Sequence, residues 1–581
     1  MDFRQNYDYW KANVDSQYLA ELESIASDEK EIKERFTLPL AFGTAGMRGT
    51  IAMGISNMNV YTVARASLGL GQYIQSLGKA EMERGVVISY DTRRQSFEFA
   101  LTTARVLGAM GINVKMFEDV RPVPMCSFAV RHFGAIAGVM ITASHNPKEY
   151  NGYKVYGEDG AQMSPEATAV VVDFISKADY FGIAKQDSLL TDRRDFYGKD
   201  NFALSSNITL VGKSVDEEYF KAIEKLSLSP QAVKQVGGSI KIVYSPIHGT
   251  GFKPVTAILG RMGIKVNVVE EQKYPDTEFS TVSVPNPEQP EALSMGIELA
   301  NKLGSDIVIG TDPDADRMGI AIRDNQGQFI LLNGNQIGAM LMDYILMRHT
   351  QNGTMPANPA VVKTIVTTHL ADRIARNYGV RVYDVLTGFK FIGEKIKEWE
   401  TNGESTFLFG YEESYGYLSG THARDKDAVV ASMLFAEMVC YYTSIGVGLY
   451  DKLVSLFDKY GYFVEKSKSI VFKGLDGMDK MAKIMQSFRD SNIQELAGVK
   501  VVSKADLNVG KMWLADGSES TVELPKANVV KWDLGNDEWA CVRPSGTEPK
   551  LKIYVSTVSD SKAKSESKNA EILQAIESMI D

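Results

Sequence analysis

The segment Thr142–Pro147 (TASHNP) carries the first residues whose types suggest chemistry. An apolar run, Ala137–Ile141, precedes it and is typical of a buried strand. Asn146-Pro147 ends regular structure, because proline disfavours the helical conformation in the residue before it. Ser144 is therefore expected on a loop at the carboxyl end of a strand, where open α/β sheets bind their ligands.

Three carboxylates stand at alternate positions directly after another apolar run: Asp312, Asp314 and Asp316. Their repulsion calls for a cation, and oxygen-only ligands favour a hard divalent ion such as Mg²⁺. An EF-hand would need Gly and Glu where the chain has Arg317 and Arg323. A solvated acidic loop is the alternative, but an apolar strand resumes at once from Met318. We therefore predict a metal site.

Two glycine-containing turns also carry arginine, a combination suited to binding phosphate. Phe42–Gly49 contains Arg48, and a surface turn with a solvated arginine fits that segment equally well. Arg543–Lys550 (RPSGTEPK) lies between two predicted strands and is basic at both ends. For this second turn we favour phosphate binding.

Further candidates are Lys154, the pair Glu412-Glu413 and the segment Arg424–Lys426. Asn151-Gly152 is a hairpin signal, so Lys154 should begin a strand close to Ser144, as an acid, a base or a phosphate contact. The paired glutamates could act as acid and base, accept hydrogen bonds from sugar hydroxyls, or be merely solvated.

The composition is that of a globular enzyme, with 44% apolar and 23% charged residues among 581. A formal net charge of −10 without a basic stripe argues against nucleic acid as the main partner. The three cysteines are scattered, which predicts free thiols in a reducing cytoplasm. The apolar stretch 428–442 is interrupted by Glu437 and too short to span a bilayer, so a buried helix and no membrane contact are expected.

Strands and helices alternate along most of the chain, which predicts an α/β fold with mostly parallel strands. Strands are predicted at 86–90 and 381–385, for example, and helices at 60–77 and 290–303. The pattern repeats three times and then changes near residue 453. The predicted domains are 1–210 with the serine loop, 211–327 with the metal loop, 328–452 with the Glu412 loop, and 453–581 with the Arg543 turn.

Four of these motifs, in this order, resemble the α-D-phosphohexomutase family over nearly the whole chain: SHNP at 144–147, DPDADR at 312–317, EES at 412–414 and RPSGT at 543–547. Longer bacterial members look most similar. The resemblance implies three similar mixed-sheet α/β domains around a central cleft and a smaller α+β C-terminal domain. One departure is that Pro313 and Ala315 stand where many relatives have glycine.

The resemblance also implies the roles of individual residues. Ser144 would be the phosphoserine, which shares Mg²⁺ with the three aspartates. Residues that match positions lining the reaction centre are Arg48, His145, Lys154 and Lys426. Residues that would contact substrate are Arg317, Thr387, Gly388, Glu412, Ser414, Arg543, Ser545, Gly546 and Thr547.

The implied reaction interconverts α-D-glucose 1-phosphate and glucose 6-phosphate through glucose 1,6-bisphosphate, which also primes the serine. Phosphomannomutase, phosphoglucosamine mutase and phosphopentomutase activities share these motifs and stay open. A serine hydrolase lacks support, because no Gly-x-Ser-x-Gly elbow is present and a triad would leave three aspartates unused. A non-catalytic sugar-phosphate binding protein would not need both serine and metal. A monomer or weak dimer is expected.

Overall fold

The computed structural model describes residues 2–43, 46–182, 205–472, 477–544 and 550–580. The chain forms two compact units. Unit 1 comprises Met1–Gly334, Gly393–Gly403 and Ser414–Gly446, and unit 2 comprises Asn335–Ile392, Glu404–Glu413 and Val447–Asp581.

The elements up to residue 332 belong to unit 1. Its helices there are α1 (Phe3–Asn13), α2 (Ser16–Ser24), α3 (Glu29–Phe36), α4 (Val60–Leu77), α5 (Lys79–Arg84), α6 (Ser96–Ala109), α7 (Val123–Phe133), α8 (Pro165–Lys177), α9 (Lys213–Glu224), α10 (Pro230–Val236), α11 (Phe252–Arg261) and α12 (Pro290–Leu303). Its strands there are β1 (Gly46–Thr50), β2 (Val86–Tyr90), β3 (Val114–Phe117), β4 (Ala137–Ile141), β5 (Tyr150–Gly157), β6 (Ile208–Val211), β7 (Ile242–Ser245), β8 (Val266–Val268), β9 (Ile307–Thr311), β10 (Met318–Arg323) and β11 (Phe329–Leu332).

The later elements complete unit 1 and build unit 2. The helices are α13 (Gly334–Asn352), α14 (Leu370–Asn377), α15 (Phe389–Asn402), α16 (Ala428–Ser444), α17 (Leu449–Tyr460), α18 (Gly477–Asp490) and α19 (Lys562–Glu577). The strands are β12 (Pro359–Thr364), β13 (Arg381–Val385), β14 (Thr406–Glu412), β15 (Gly416–Ser419), β16 (Tyr462–Val471), β17 (Glu495–Leu496), β18 (Val499–Lys500), β19 (Ser503–Asp506), β20 (Lys511–Leu514), β21 (Glu519–Thr521), β22 (Val530–Gly535), β23 (Glu538–Pro544) and β24 (Lys550–Ser559).

Two mixed sheets organise unit 1. The first has the order β1-β5-β4-β2-β3-β6, with β2, β3, β4 and β6 parallel and β5 antiparallel to its neighbours. The second has the order β11-β10-β9-β7-β8, and here β10 is the antiparallel strand beside β9. In both sheets the strand that precedes the antiparallel one along the chain carries a candidate functional loop at its carboxyl end. β4 delivers Ser144 and β9 delivers the aspartates.

The apolar stretch from residue 428 is the buried helix α16, as predicted, and it belongs to unit 1. Its one acidic residue, Glu437, is wholly buried. The carboxylate accepts hydrogen bonds from the amides of Leu228 (2.8 Å) and Ser229 (3.0 Å) and from the hydroxyl of Ser227. These donors replace the water that a buried carboxylate loses, so Glu437 fastens α16 to the turn before α10.

Unit 2 contains parallel strands in the order β13-β12-β14 and a seven-stranded antiparallel sheet, β16-β24-β23-β22-β19-β20-β21. One face of the large sheet buries Trp532 and Ile572 with the helices α18 and α19. The opposite face buries Trp539 and Tyr554 against Ile365, just after β12. The predicted class, three mixed-sheet α/β domains and a smaller α+β C-terminal domain, is confirmed by these sheets and by the family comparisons below.

One local prediction is wrong. Asn151-Gly152 is not a turn but lies inside β5, where Asn151 pairs with Gly49 and Gly152 with Arg48. A Cβ on Gly152 would approach the carbonyl oxygen of Thr142 to 2.4 Å, so glycine is required by close packing between strands. Lys154 therefore lies inside β5, paired with Gly46 on one side and Met140 on the other. In the described ranges no single helix is long and apolar enough to cross a membrane, although one bent pair of consecutive helices reaches that length and apolar content together.

Candidate active site

Ser144 lies on the loop after β4, as predicted, and only 4% of it is exposed. Its φ of 52° is in the left-handed region, which non-glycine residues rarely adopt. The hydroxyl of Thr142 accepts a hydrogen bond from the Ser144 amide at 2.9 Å. The loop thus holds the serine hydroxyl in one direction despite an unfavourable backbone conformation.

The three aspartates converge after β9, with carboxylate oxygens within 4.8 Å of one another. Ser144 Oγ donates to Asp312 Oδ2 at 2.8 Å, and Thr142 Oγ1 donates to Asp314 Oδ2 at 3.1 Å. Burial and the two neighbouring carboxylates raise the pKa of Asp312 well above its ordinary value. Oδ1 of Asp314 and of Asp316 is buried without a hydrogen-bond partner among the described residues. Buried carboxylate oxygens that lack hydrogen-bond partners and lie beside a hydroxyl are suitable ligands for Mg²⁺.

Two lysines offset part of the negative charge. Lys154 Nζ lies 2.9 Å from Asp314 Oδ2 and 3.6 Å from Asp316 Oδ2, and Lys426 Nζ lies 3.1 Å from Asp316 Oδ2. Burial alone would raise the pKa of Asp316, but Lys426 and Lys154 outweigh it and hold that pKa below its ordinary value. Burial would likewise lower the pKa of Lys154, yet the aspartates raise it. Lys154 is therefore cationic at neutral pH.

His145 and Arg48 lie beside the serine. His145 Nδ1 is 3.2 Å from Ser144 Oγ. Burial, together with the charges of Arg317 and Arg48, lowers the pKa of His145 to about 2, so the imidazole is neutral. Arg48 donates from Nη1 to Asn146 Oδ1 at 2.9 Å, which places its guanidinium over the serine loop. The structure thus brings the predicted reaction-centre residues together around Ser144.

Arg317 is the last residue of the aspartate loop, residues 312–317, and Ser414 lies next to this loop in the same unit. Arg317 donates from Nη1 to Glu288 Oε1 at 2.6 Å. The carboxylate of Glu288 therefore holds the guanidinium of Arg317 in place, a contact that the sequence analysis did not anticipate. The half-buried Ser414 belongs to the turn before β15, and the carbonyl of Tyr415 in that turn accepts a hydrogen bond from the amide of Met318 at 3.1 Å.

A second turn, which contains Gly249 and Thr250, supports the aspartate loop. The amide and hydroxyl of Thr250 both donate to the carbonyl of Pro313, at 2.8 and 2.9 Å. A Cβ on Gly249 would lie 2.5 Å from Pro313 Cα, so only glycine permits this contact. Ala315 has a φ of 45°, in the left-handed region. The loop thus keeps a strained turn that its supporting contacts compensate.

Unit 2 contains the predicted sugar-recognition residues Thr387, Gly388 and Glu412. The amide of Gly388 donates to Glu412 Oε1 at 2.8 Å, and Gly388 has a φ of 120° that suits glycine. The adjacent Glu413 has a pKa raised to about 7 by burial and by the charge of Glu412. These carboxylates form one acidic patch at the end of β14.

Arg543 lies near the end of β23, opposite Lys552 on β24. Burial and the charge of Glu413 raise the pKa of the buried Tyr554 phenol, whereas the charge of Arg543 opposes that rise. Tyr554 therefore lies within electrostatic reach of both the acidic patch and Arg543. Ser545, Gly546 and Thr547 lie outside the described residues.

Thr142 and Glu288 contact candidate site residues, and the sequence analysis assigned a role to neither. Thr142 stands within the serine motif, two residues before Ser144, so its type and position offered a signal. Glu288 follows the segment NP at 286–287, far along the chain from any motif, and offered none. Only the folded chain shows that it meets Arg317.

Comparison with known proteins agrees with this geometry. Family models match residues 39–181, 217–327, 333–460 and 488–571, described as phosphoglucomutase/phosphomannomutase alpha/beta/alpha domains I, II and III and C-terminal domain. A phosphoglucomutase from Staphylococcus epidermidis is 40% identical over 91% of this chain and 93% of its own length. The chain belongs to the phosphoglucomutase/phosphomannomutase family, whose members are isomerases.

Two solved structures share the fold. The parafusin phosphoprotein of Paramecium, a phosphoglucomutase, superposes with a TM-score of 0.66 at 17% identity, covering 94% of this chain and 96% of that one. An N-acetylphosphoglucosamine mutase from Aspergillus fumigatus, solved with GlcNAc-6P and magnesium, has a TM-score of 0.50 at 14% identity, covering 94% and 96%.

Proposed function

We propose that this enzyme interconverts α-D-glucose 1-phosphate and glucose 6-phosphate by way of a phosphoserine at Ser144 and a glucose 1,6-bisphosphate intermediate. The observation that carries the proposal is the hydrogen bond from Ser144 Oγ to Asp312 inside a buried carboxylate triad. Glucose as the sugar is supported by the Staphylococcus epidermidis relative, a phosphoglucomutase at 40% identity.

Mg²⁺ is the proposed cofactor, and Asp312, Asp314, Asp316 and the serine oxygen would hold it. When bound it would supply positive charge next to the transferring phosphoryl group. Lys154 and Lys426 add fixed cations that contact Asp314 and Asp316 directly. Charge that develops on the phosphoryl oxygens during transfer is stabilised by such preorganised cations.

The remaining residues are assigned to binding and orientation. Neutral His145 contacts the Ser144 hydroxyl, and Arg48 contacts Asn146 in the same loop. We assign to both the task of orienting a sugar hydroxyl toward Ser144. We assign contact with the sugar to Arg317, Thr387, Gly388, Glu412 and Ser414. The phosphate that is not being transferred is assigned to Arg543, Ser545, Gly546 and Thr547. The partners are small sugar phosphates, and a cytoplasmic location is proposed because the three cysteines are buried and free.

The test is a coupled assay with glucose 1-phosphate, mannose 1-phosphate, ribose 1-phosphate and N-acetylglucosamine 1-phosphate, each with its bisphosphate and Mg²⁺. We expect the highest kcat/KM for glucose 1-phosphate and no turnover by Ser144→Ala. A preference for another sugar would reassign the substrate, and full activity of Ser144→Ala would refute the phosphoserine.

A further inference from the structure

Arg93 follows β2 and is remote in sequence from every motif described above. Its side chain is completely buried, and its guanidinium is directed at the serine loop. Nη2 donates to the carbonyls of Ser144 and Asn146, both at 2.5 Å, and Nη1 donates to those of Pro147 at 2.8 Å and Tyr150 at 3.1 Å. One side chain thus binds four carbonyl oxygens within seven residues.

We infer that Arg93 is a positioning residue that holds the Ser144 loop in the conformation required for phosphoryl transfer. This inference rests on the proposed function of Ser144. A left-handed residue such as Ser144 persists only when its surroundings fix it, and its own carbonyl is bound by Arg93. Arginine suits the task because its rigid fork presents five N–H donors in fixed directions.

Arg93 is itself held by Asp91 and Phe279. Its Nε lies 3.4 Å from Asp91 Oδ2, and Asp91 Oδ1 accepts the amide of Arg93 and the hydroxyl of Ser96, at 2.9 and 2.6 Å. The guanidinium also lies over the ring of Phe279, 5.1 Å from its centre. The buried carboxylate thus balances the arginine charge while leaving both Nη groups directed at the loop.

A second arginine offers a matched control. Arg323 donates to the carbonyls of Ser305 (2.9 Å) and Gly327 (2.7 Å) and lies over Phe329, 4.2 Å from its centre. It therefore makes the same kind of contact, but to loops that carry no site residue. Arg93→Lys and Arg323→Lys each keep the positive charge and remove the fork, so they lose comparable contacts at different places.

The experiment measures four quantities in both variants: kcat and KM for glucose 1-phosphate, the rate at which glucose 1,6-bisphosphate phosphorylates Ser144, and amide hydrogen exchange of residues 144–150. For Arg93→Lys we expect kcat and the phosphorylation rate to fall about 10²-fold, because misplacement of the nucleophile is costly, with KM changed less than about threefold. Exchange in the loop should become faster. Arg323→Lys should keep the wild-type kcat and loop exchange, although its melting temperature falls.

The inference is refuted if Arg93→Lys keeps kcat within about threefold of wild type, or if it turns over slowly while loop exchange is unchanged. Should Arg93→Lys fail to fold, the double variant Asp91→Asn/Arg93→Gln removes the guanidinium without leaving a buried lone carboxylate, and the same readouts apply. If the wild-type enzyme did not turn over glucose phosphates, the proposed function would fail, but loop exchange would still test the role of Arg93.

Discussion

Ser144 and Asp312 are 168 residues apart and follow strands of different sheets, yet the serine hydroxyl donates to the aspartate carboxylate at 2.8 Å. The contact joins the candidate nucleophile to the candidate metal ligands directly. Because the two groups share this hydrogen bond, a chemical change at Ser144 affects the aspartate loop and a change in that loop affects Ser144. The first two predictions follow from this contact.

Ser144 should carry phosphate in purified protein. Ser144 is nearly buried beside cations and carboxylates, so it is not an ordinary solvated surface serine. The site would stabilise its phosphorylated form. Intact-mass measurement should detect one phosphoryl group, which increases with glucose 1,6-bisphosphate and is absent from Ser144→Ala. Phosphate found on another residue would contradict the assignment.

Asp314→Asn should lower kcat by about 10²-fold or more and weaken the dependence on Mg²⁺, since it removes a proposed ligand and the partner of Lys154. Asp306→Asn, at an exposed position just before β9, is the control and should behave as wild type. Titration of activity with Mg²⁺ after exhaustive chelation is the measurement. Equal Mg²⁺ dependence of Asp314→Asn and wild type would exclude this ligand.

Arg543→Ala should lower kcat/KM about 10²-fold, or roughly 3 kcal/mol of transition-state stabilisation, because a directional phosphate contact is lost. Arg543→Lys should recover only part of the lost kcat/KM, since the point charge of an ammonium lacks the forked geometry of the guanidinium. Steady-state kinetics at low substrate is the measurement, and the phosphoserine content of the resting variant should stay normal. Normal turnover at low substrate would remove Arg543 from the site.

Glu413 should make folding stability depend on pH. Its pKa is raised to about 7 in the native state by burial and by Glu412, above the ordinary value of 4.5. The folded protein therefore binds the Glu413 proton more tightly than the unfolded chain does. The resulting stabilisation is full below about pH 4.5 and is lost as pH rises through 7, which lowers the free energy of unfolding by about 3 kcal/mol. Urea unfolding at pH 5 and pH 7.5 should show a smaller decrease for Glu413→Gln than for wild type. The exposed Glu404→Gln serves as control, and equal decreases in wild type and Glu413→Gln would mean that Glu413 ionises normally.

Elements with strong local signals could be predicted from the sequence. Helix α4 begins at residue 60 as expected, because Asn59 caps it by accepting the amides of Tyr61 and Thr62. The strand 86–90 and the helix 290–303 also match their predicted bounds. In these segments the local preference and the tertiary structure agree, so short stretches of sequence suffice.

Features that depend on distant partners could not be predicted in this way. Asn151-Gly152 carries a turn signal, but pairing with strands on both sides overrides it. Arg93 and Glu288 look like ordinary charged residues, and their contacts with the Ser144 loop and Arg317 exist only after folding. The motif residues were found because several reactive types stand together in sequence, whereas the residues that orient them do not.

The close packing of Gly249 against Pro313 has a consequence for engineering. The loop that carries the aspartates relies on a separate turn whose own glycine has no room for a side chain. A designer who transplanted residues 312–317 alone into another scaffold would move the ligands without the surface that shapes them. The smallest portable version of the aspartate loop therefore comprises two segments that lie more than 60 residues apart, as the 63-residue spacing of Thr250 and Pro313 shows.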